Sequence, residues 1–170
     1  TTEHSGSYTT GAMQTATKLP LSMRETPQSV TVITRQRMDD QGMRSLDDVV
    51  QATPGLRLSA ARPANSEFFA RGFPITNLMF DGLPTTYNAD WVATADLAPY
   101  DRVEVVRGAT GMMQGAGNPS AAINMVRKRP TQAFQASVTG SAGSWDNYRS
   151  ELDVSGPLND SASVRGRTVG

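Results

Sequence analysis

The sequence predicts a small α+β domain followed by an antiparallel, all-β segment. Two observations support this fold class. Up to about residue 130, short runs of β-branched residues surround one stretch with helical periodicity, whereas from 131 to 170 apolar and polar residues simply alternate. Thr, Ser and Gly dominate the first residues, with no apolar period. We therefore divide the chain into a flexible lead-in at 1–22, a mixed domain at 23–130 and a β segment at 131–170.

The strands and the helix of the mixed domain follow from local patterns. Gln28–Arg35 is rich in β-branched residues and predicts the first strand. Ser45–Ala52 predicts a two-turn helix, with Ser45 as the N-cap, Asp48 three positions later and a stop at Pro54-Gly55. Further short strands are predicted at Leu56–Ala60, Glu67–Gly72, Leu78–Asp81, Arg102–Arg107 and Ala122–Lys128.

The alternation after residue 133 predicts three consecutive antiparallel strands. Their apolar residues share one face and their polar residues the other, as a transmembrane β-barrel requires; an ordinary soluble hairpin is the alternative. The first face would carry Phe134, Ala136, Val138, Gly140 and Ala142, then Tyr148, Ser150, Leu152 and Val154, and then Ala162, Val164 and Gly166.

Charges on the polar face predict how the second and third strands pair. A turn centred near Asn159 would place Asp153 opposite Arg165 and Glu151 opposite Arg167. Opposite charges across a strand pair stabilise it, and a slip by one residue would turn all four toward the other face.

Composition excludes several classes of protein. Sixteen Lys and Arg residues balance sixteen Asp and Glu residues, so bulk charge favours neither nucleic acid nor an anionic surface. There is no cysteine, and the single histidine, His4, has no second His or Cys with which to form a metal site. No run of about 20 apolar residues predicts a spanning helix. The chain starts at Thr1 rather than Met, so we expect any export signal to lie upstream.

The glycine-rich stretch 108–120 raises the possibility of a phosphate-binding loop. Such a loop needs Lys and then Ser or Thr after its last glycine, but here Gly117 precedes Asn118 and Pro119. Nucleotide binding is therefore not expected. No Ser-His-Asp or Cys-His set can be assembled either, so we do not expect an enzyme.

Six strings of residues, in this order, resemble the plug of TonB-dependent outer-membrane receptors. They cover most of the chain, and the fifth is the most specific. They are RETPQSVTVITRQRMDDQG (24–42), SLDDVVQATPGL (45–56), FFARGFP (68–74), MFDGLP (79–84), YDRVEVVRGATGMMQGAGNPSAAINMVRKRPT (100–131) and SWDNYRSELDVSGPL (144–158). The first and last strings are most similar to the branch that takes up ferric hydroxamate and pyoverdine-type siderophores.

The resemblance implies a plug with a four-stranded mixed sheet, seated inside a 22-stranded β-barrel in the bacterial outer membrane and facing the periplasm on one side. It implies a ferric-siderophore receptor with an Fe³⁺ chelate as transported ligand and no covalent cofactor. Its partners would be TonB with ExbB and ExbD, its own barrel and outer-membrane lipid. The TonB box, which pairs with TonB by strand addition, has no match in residues 1–23 and lies upstream or is absent. A free-standing periplasmic plug-like module is the alternative.

Three residues are candidates for siderophore binding through this resemblance. Arg71 would lie near the apex of the plug, where a guanidinium suits carboxylate and hydroxamate oxygens; a buried, paired arginine is the alternative. Tyr87 and Trp91 fall where the family has an apical loop and would line the pocket, with core packing as the alternative.

Two more residues are candidates for contact with the barrel. Arg102, Glu104 and Arg107 interleave with valines and are expected to project from one face of their strand. That face would ordinarily be solvated. The resemblance implies instead that Glu104 and Arg107 form ion pairs with the charged interior of the barrel.

Overall fold

The computed structural model of this protein describes residues 2–11, 29–62, 65–85, 95–108, 120–144 and 147–170. They form two compact units, one up to Arg127 and one from Lys128 to Gly170. Within the described residues, no helix is long and apolar enough to cross a membrane.

The described part of the first unit combines short helices and short strands. In chain order they are β1 Ser29–Thr34, α1 Arg35–Asp40, α2 Leu46–Gln51, β2 Leu56–Arg62, β3 Asn65–Ala70, β4 Phe73–Pro74, β5 Asn77–Phe80, β6 Leu83–Pro84, β7 Tyr100–Arg107 and β8 Ala121–Arg127. Each predicted strand of this unit and the predicted helix is present within a few residues of its expected bounds.

A mixed sheet forms the centre of the first unit, with strand order β1-β7-β8-β5-β6. β5 and β8 run parallel, and the other neighbours are antiparallel. The mixed character is confirmed, but the sheet has five strands where four were expected. The fifth strand exists because Asp81 and Gly82, both with positive φ (51° and 82°), turn the chain back so that Leu83 pairs with Phe80.

The apolar core of the unit lies between this sheet, the two helices and a second sheet of order β2-β3-β4. β7 and β8 are central strands, and Val103, Val105 and Ile123 are fully buried. From the second sheet, Phe68 points into the same core and is 1% exposed. The buried position of β8 agrees with its nearly continuous apolar run, whereas in β7 the valines are interleaved with charged residues.

Only one of the two helices was predicted from the sequence. α2 has the predicted start, because the Asp48 carboxylate accepts from the N–H and from the hydroxyl of Ser45 at 2.9 and 3.0 Å. α1 was not predicted, since Met38 is its only apolar residue and gives no periodicity. Its N-cap is Thr34, whose Oγ1 accepts from the N–H of Arg37 at 3.3 Å.

The second unit is one antiparallel sheet of order β11-β10-β9, formed by β9 Gln135–Gly143, β10 Asn147–Pro157 and β11 Arg165–Val169. The three predicted strands and the alternation of their faces are confirmed, because Val138 pairs with Leu152 and Ala142 with Tyr148. Val138, Tyr148 and Leu152 are 77%, 75% and 50% exposed, so this sheet presents an apolar face outward.

The predicted pairing of β10 with β11 is wrong by four residues. Asp153 pairs with Val169 rather than Arg165, because β10 continues through Gly156 and Pro157 and the turn centres on Ser161. The turn is closed where the N–H of residue 158 donates to the carbonyl of residue 164 at 2.8 Å. An even shift keeps each residue on its predicted face.

The ion pairs of the second unit change with this register. Asp153 accepts from Arg167 at 2.6 Å and from Lys128 at 2.9 Å. Glu151 is paired with Arg149 on its own strand instead of with Arg167. A further contact joins the start of this unit to β10, because the N–H of Thr131 donates to the hydroxyl of Ser155 at 2.8 Å.

Candidate functional site

Arg71 lies at the tip of the turn that joins β3 to β4. Its backbone has φ of 54°, an uncommon value for a residue other than glycine, and its side chain is exposed. The next strand starts two residues later, where Phe73 pairs with Ala70. Exposure argues against the buried structural arginine, and the turn points this guanidinium away from the core.

Arg107 ends β7 close to Arg71. A Cβ built on Gly108 would lie 3.6 Å from Nη1 of Arg71, and one built on Gly55 would lie 3.5 Å from Nε of Arg107. Burial first, and the neighbouring charge of Arg71 second, lower the pKa of the Arg107 guanidinium. The two cations therefore form one positively charged locus beside these glycines.

Arg107 is anchored on one side only. Its Nη2 donates to Thr31 Oγ1 at 2.7 Å and its Nη1 donates to Ser29 Oγ at 3.1 Å, both on the neighbouring strand β1. Its buried Nε has no hydrogen-bond partner among the described residues. This buried N–H therefore carries a desolvation cost that no described residue offsets.

Glu104 does not share a face with Arg107, which corrects the expectation from the sequence. Side chains alternate along a strand, so residues three apart point to opposite faces. Glu104 is fully buried, and Nε of Arg102 donates to its Oε1 at 2.7 Å. Arg102 also contacts Asp101 at 3.1 Å. Within the described residues, the Glu104 carboxylate is therefore held inside the unit, not displayed on a solvated face.

The other candidates fall outside what the structure describes. Tyr87 and Trp91 belong to 86–94, which the structure does not describe, as do residues 109–119 of the glycine-rich stretch. Gly108 is described and has φ of 100°, consistent with the role of glycine in a turn.

The lead-in contains a buried residue that sequence reasoning missed. Thr2 is 3% exposed and contacts Asp101, which is 1% exposed, although 99 positions separate them. A Thr- and Ser-rich stretch without apolar period carries no signal for such a contact, because only the fold brings the two residues together.

The chemistry available at these positions is binding chemistry. The Arg71 and Arg107 guanidinium groups suit anionic oxygen atoms, which they can hold through two N–H groups at once. Among the described residues, no group of three or more His, Cys, Asp and Glu side chains is placed to hold a metal ion.

Comparison with known proteins places these observations in context. A family model described as TonB-dependent Receptor Plug Domain matches residues 22–122. The ferripyoverdine receptor of Pseudomonas aeruginosa is 55% identical over 172 residues, covering 99% of this chain and 21% of that receptor. This chain therefore spans about a fifth of the length of that curated relative.

Solved structures give the same picture. The crystal structure of the ferripyoverdine receptor of the Pseudomonas aeruginosa outer membrane, bound to ferripyoverdine, matches with a TM-score of 0.93 at 54% identity, covering 99% of this chain and 23% of that one. The alcaligin outer-membrane receptor of Bordetella pertussis matches with a TM-score of 0.87 at 48% identity, covering 99% of this chain and 30% of that one. These matches confirm the resemblance drawn from the sequence motifs.

Proposed function

Because this chain belongs to the TonB-dependent receptor plug domain family, we propose that it is the plug and the first barrel strands of a ferric-siderophore receptor in the bacterial outer membrane. The observation that carries the proposal is the 55% identity to a ferripyoverdine receptor across 99% of the chain. Ferric pyoverdine is accordingly the first ligand to test. The complete receptor would bind the chelate, and TonB with ExbB and ExbD would power its uptake.

We assign Arg71 to the chelate-binding surface of this receptor. Its exposure at a turn tip and the absence of a carboxylate partner among the described residues support the assignment. A guanidinium there is available to the carboxylate and hydroxamate oxygens of an iron chelate. Tyr87 and Trp91 are proposed to contribute aromatic contacts to the same pocket.

We assign Arg107 to contact with the barrel wall and revise the role of Glu104. Arg107 ends β7 with its side chain only half-buried, and an accessible guanidinium suits an acidic group of the barrel. Glu104 is proposed to act inside the plug by holding Arg102, with which it is already paired.

The second unit supplies the start of the barrel in this proposal. Its exposed apolar face, which includes Val138, Tyr148 and Leu152, would meet lipid. The opposite face carries the ion pairs of Asp153 and Glu151 and would line the interior.

Titration of the complete receptor with ferric pyoverdine, followed by fluorescence, tests the function and the site together. We expect Arg71→Ala to weaken binding by about tenfold or more, since a lost charge-assisted contact costs roughly 1.5–3 kcal/mol. Arg44→Ala is the matched control, because Arg44 is also an exposed arginine but lies elsewhere. The Arg44 carbonyl accepts from the N–H of Leu97, before the start of β7, whereas Arg71 lies near the other end of β7.

Each outcome of the titration is informative. An Arg71→Ala affinity within about twofold of the parent would remove Arg71 from the site without affecting the family assignment. A parent receptor that neither bound nor imported any ferric siderophore would overturn the proposed function.

A further inference from the structure

The lead-in docks on the first unit through a buried threonine. The N–H of Thr2 donates to Oδ1 of Asp101 at 2.7 Å, and its hydroxyl donates to the Asp101 carbonyl at 2.7 Å. The same hydroxyl accepts from the N–H of Arg35 at 3.0 Å. Thr2 thus joins the first residue of α1 to the start of β7.

Two further contacts continue the docking along α1. The hydroxyl of Thr34, the N-cap of α1, donates to the Ser7 carbonyl at 2.9 Å. The hydroxyl of Tyr8 donates to Oδ2 of Asp40, the last residue of α1, at 3.0 Å. Residues 2–8 therefore contact α1 at its beginning, through Thr2 and Ser7, and at its last residue, through the Tyr8 side chain.

These residues have little besides polar contacts to hold them. They belong to no strand of either sheet. Residues 2–7, TEHSGS, contain no apolar side chain, so hydrophobic burial contributes little to their docking. His4, Ser5 and Gly6 are exposed between the docked positions.

If residues 2–8 detached, the polar groups that they now contact would still have hydrogen-bond partners. The N–H of Arg35 is one of the first amides of α1, which have no acceptor within a helix, and water can take the place of the Thr2 hydroxyl. Asp101 would keep its contact with Arg102. Undocking therefore breaks a few hydrogen bonds and leaves the apolar core intact.

From this arrangement we infer that residues 2–8 are a detachable latch, which opens over α1 and the start of β7 while the rest of the first unit stays folded. The role of the latch rests on the proposed function: TonB would pull on chain upstream of Thr2, so the latch is the first contact to bear that force. Its opening would expose the beginning of α1 before any strand is disturbed.

Hydrogen exchange of the complete receptor, measured by mass spectrometry at single residues, tests this inference. In the parent, the amide of Arg35 should exchange at least about tenfold faster than that of Val105 on central strand β7, because local opening is less costly than unfolding the sheet. Equal rates for the two amides would overturn the latch, and this comparison needs no variant.

One variant with two matched controls sharpens the test. Thr2→Val removes both hydroxyl contacts at nearly constant shape and should accelerate Arg35 exchange by about tenfold, with Val105 changed less than about twofold. Thr2→Ser retains the hydroxyl and Thr9→Val alters an exposed threonine of the same stretch; both should leave Arg35 within about twofold of the parent. Equal acceleration of Arg35 and Val105 in Thr2→Val would show that the segment is an integral part of the fold.

Affinity for ferric pyoverdine separates failure of the latch from failure of the proposed function. Thr2→Val should bind the chelate within about twofold of the parent, since Thr2 is not assigned to the ligand surface. If the parent binds no ferric siderophore while Arg35 still exchanges ahead of Val105, the proposed function fails and the latch stands as a property of the fold.

Discussion

Replacing Glu104 with alanine removes the carboxylate that Arg102 faces inside the first unit. The Glu104 side chain is 0% exposed and that of Arg102 is 16% exposed, with 2.7 Å between Nε and Oε1. After the substitution, a largely buried guanidinium loses this partner and must rely on Asp101, at 3.1 Å, and on limited contact with water.

The size of the effect follows from this geometry. Two unit charges 2.7 Å apart attract by roughly 6 kcal/mol at an effective dielectric constant of about 20, before the cost of removing both from water. Removal of one partner from a buried pair costs about 3–5 kcal/mol. Because Arg102 retains Asp101, we expect about 3 kcal/mol, a large part of the roughly 5–15 kcal/mol that stabilises a domain.

Hydrogen exchange of the Val105 amide in the complete receptor measures this loss. A destabilisation of about 3 kcal/mol should accelerate exchange on the order of a hundredfold, at about 1.4 kcal/mol for each factor of ten. Glu67→Ala, which truncates an exposed glutamate of β3, is the control and should change stability by less than about 0.5 kcal/mol. Indistinguishable rates in the two variants would refute the reasoning that the Glu104–Arg102 pair is buried and stabilising.

Two other carboxylates lead to further predictions. Burial raises the pKa of Asp47, so its ionised form opposes folding at neutral pH. Asp47→Asn should therefore raise the calorimetric Tm of the plug at pH 7, and this gain should shrink as the pH falls through the raised pKa of the carboxyl. An equal gain in Tm at pH 4 and pH 7 would contradict this explanation. Asp153→Asn removes the negative charge between Lys128 and Arg167, whose side chains are only 12% and 8% exposed, and should destabilise the second unit by about 2–3 kcal/mol. Faster exchange of β10 amides reports that loss, and Asp160→Asn in the exposed turn should leave the rates unchanged.

Patterns with a strict period were the most predictable part of the fold. Alternation in β9 and β10 assigns each side chain to a face because the period of a strand is two. The same pattern does not specify register. Gly156 and Pro157 have the composition of a turn, yet they pair with Gly166 and Arg165, so the expected turn was placed two residues early.

Local patterns also failed to predict an element when only one residue of it was informative. α1 has one apolar side chain, Met38, and its start depends on the Thr34 hydroxyl. Glu104 and Arg107 were assigned to one face although they are three positions apart in a regular strand. The correct interpretation, opposite faces, was available from the sequence itself.

Contacts between residues far apart in the sequence could not be predicted from local patterns. The Thr2–Asp101 contact and the approach of Arg71 to Gly108 depend on how β1, β3 and β7 are brought together. Family resemblance did identify Arg71 as a candidate, but its exposure and its neighbour Arg107 emerged only from the structure.

The strand order of the mixed sheet determines what could be removed from it without breaking it apart. Among the described strands, β1 lies at the edge of its sheet and is paired only with β7. Peeling the chain from its N-terminal end would therefore unzip a single ladder and leave β7-β8-β5-β6 as a continuous sheet. Had the first strand been central, as β8 is, the same extraction would have divided the sheet into two halves. By topology alone, the first strand of this plug can leave the sheet by breaking one ladder, whereas removal of a middle strand would divide the sheet.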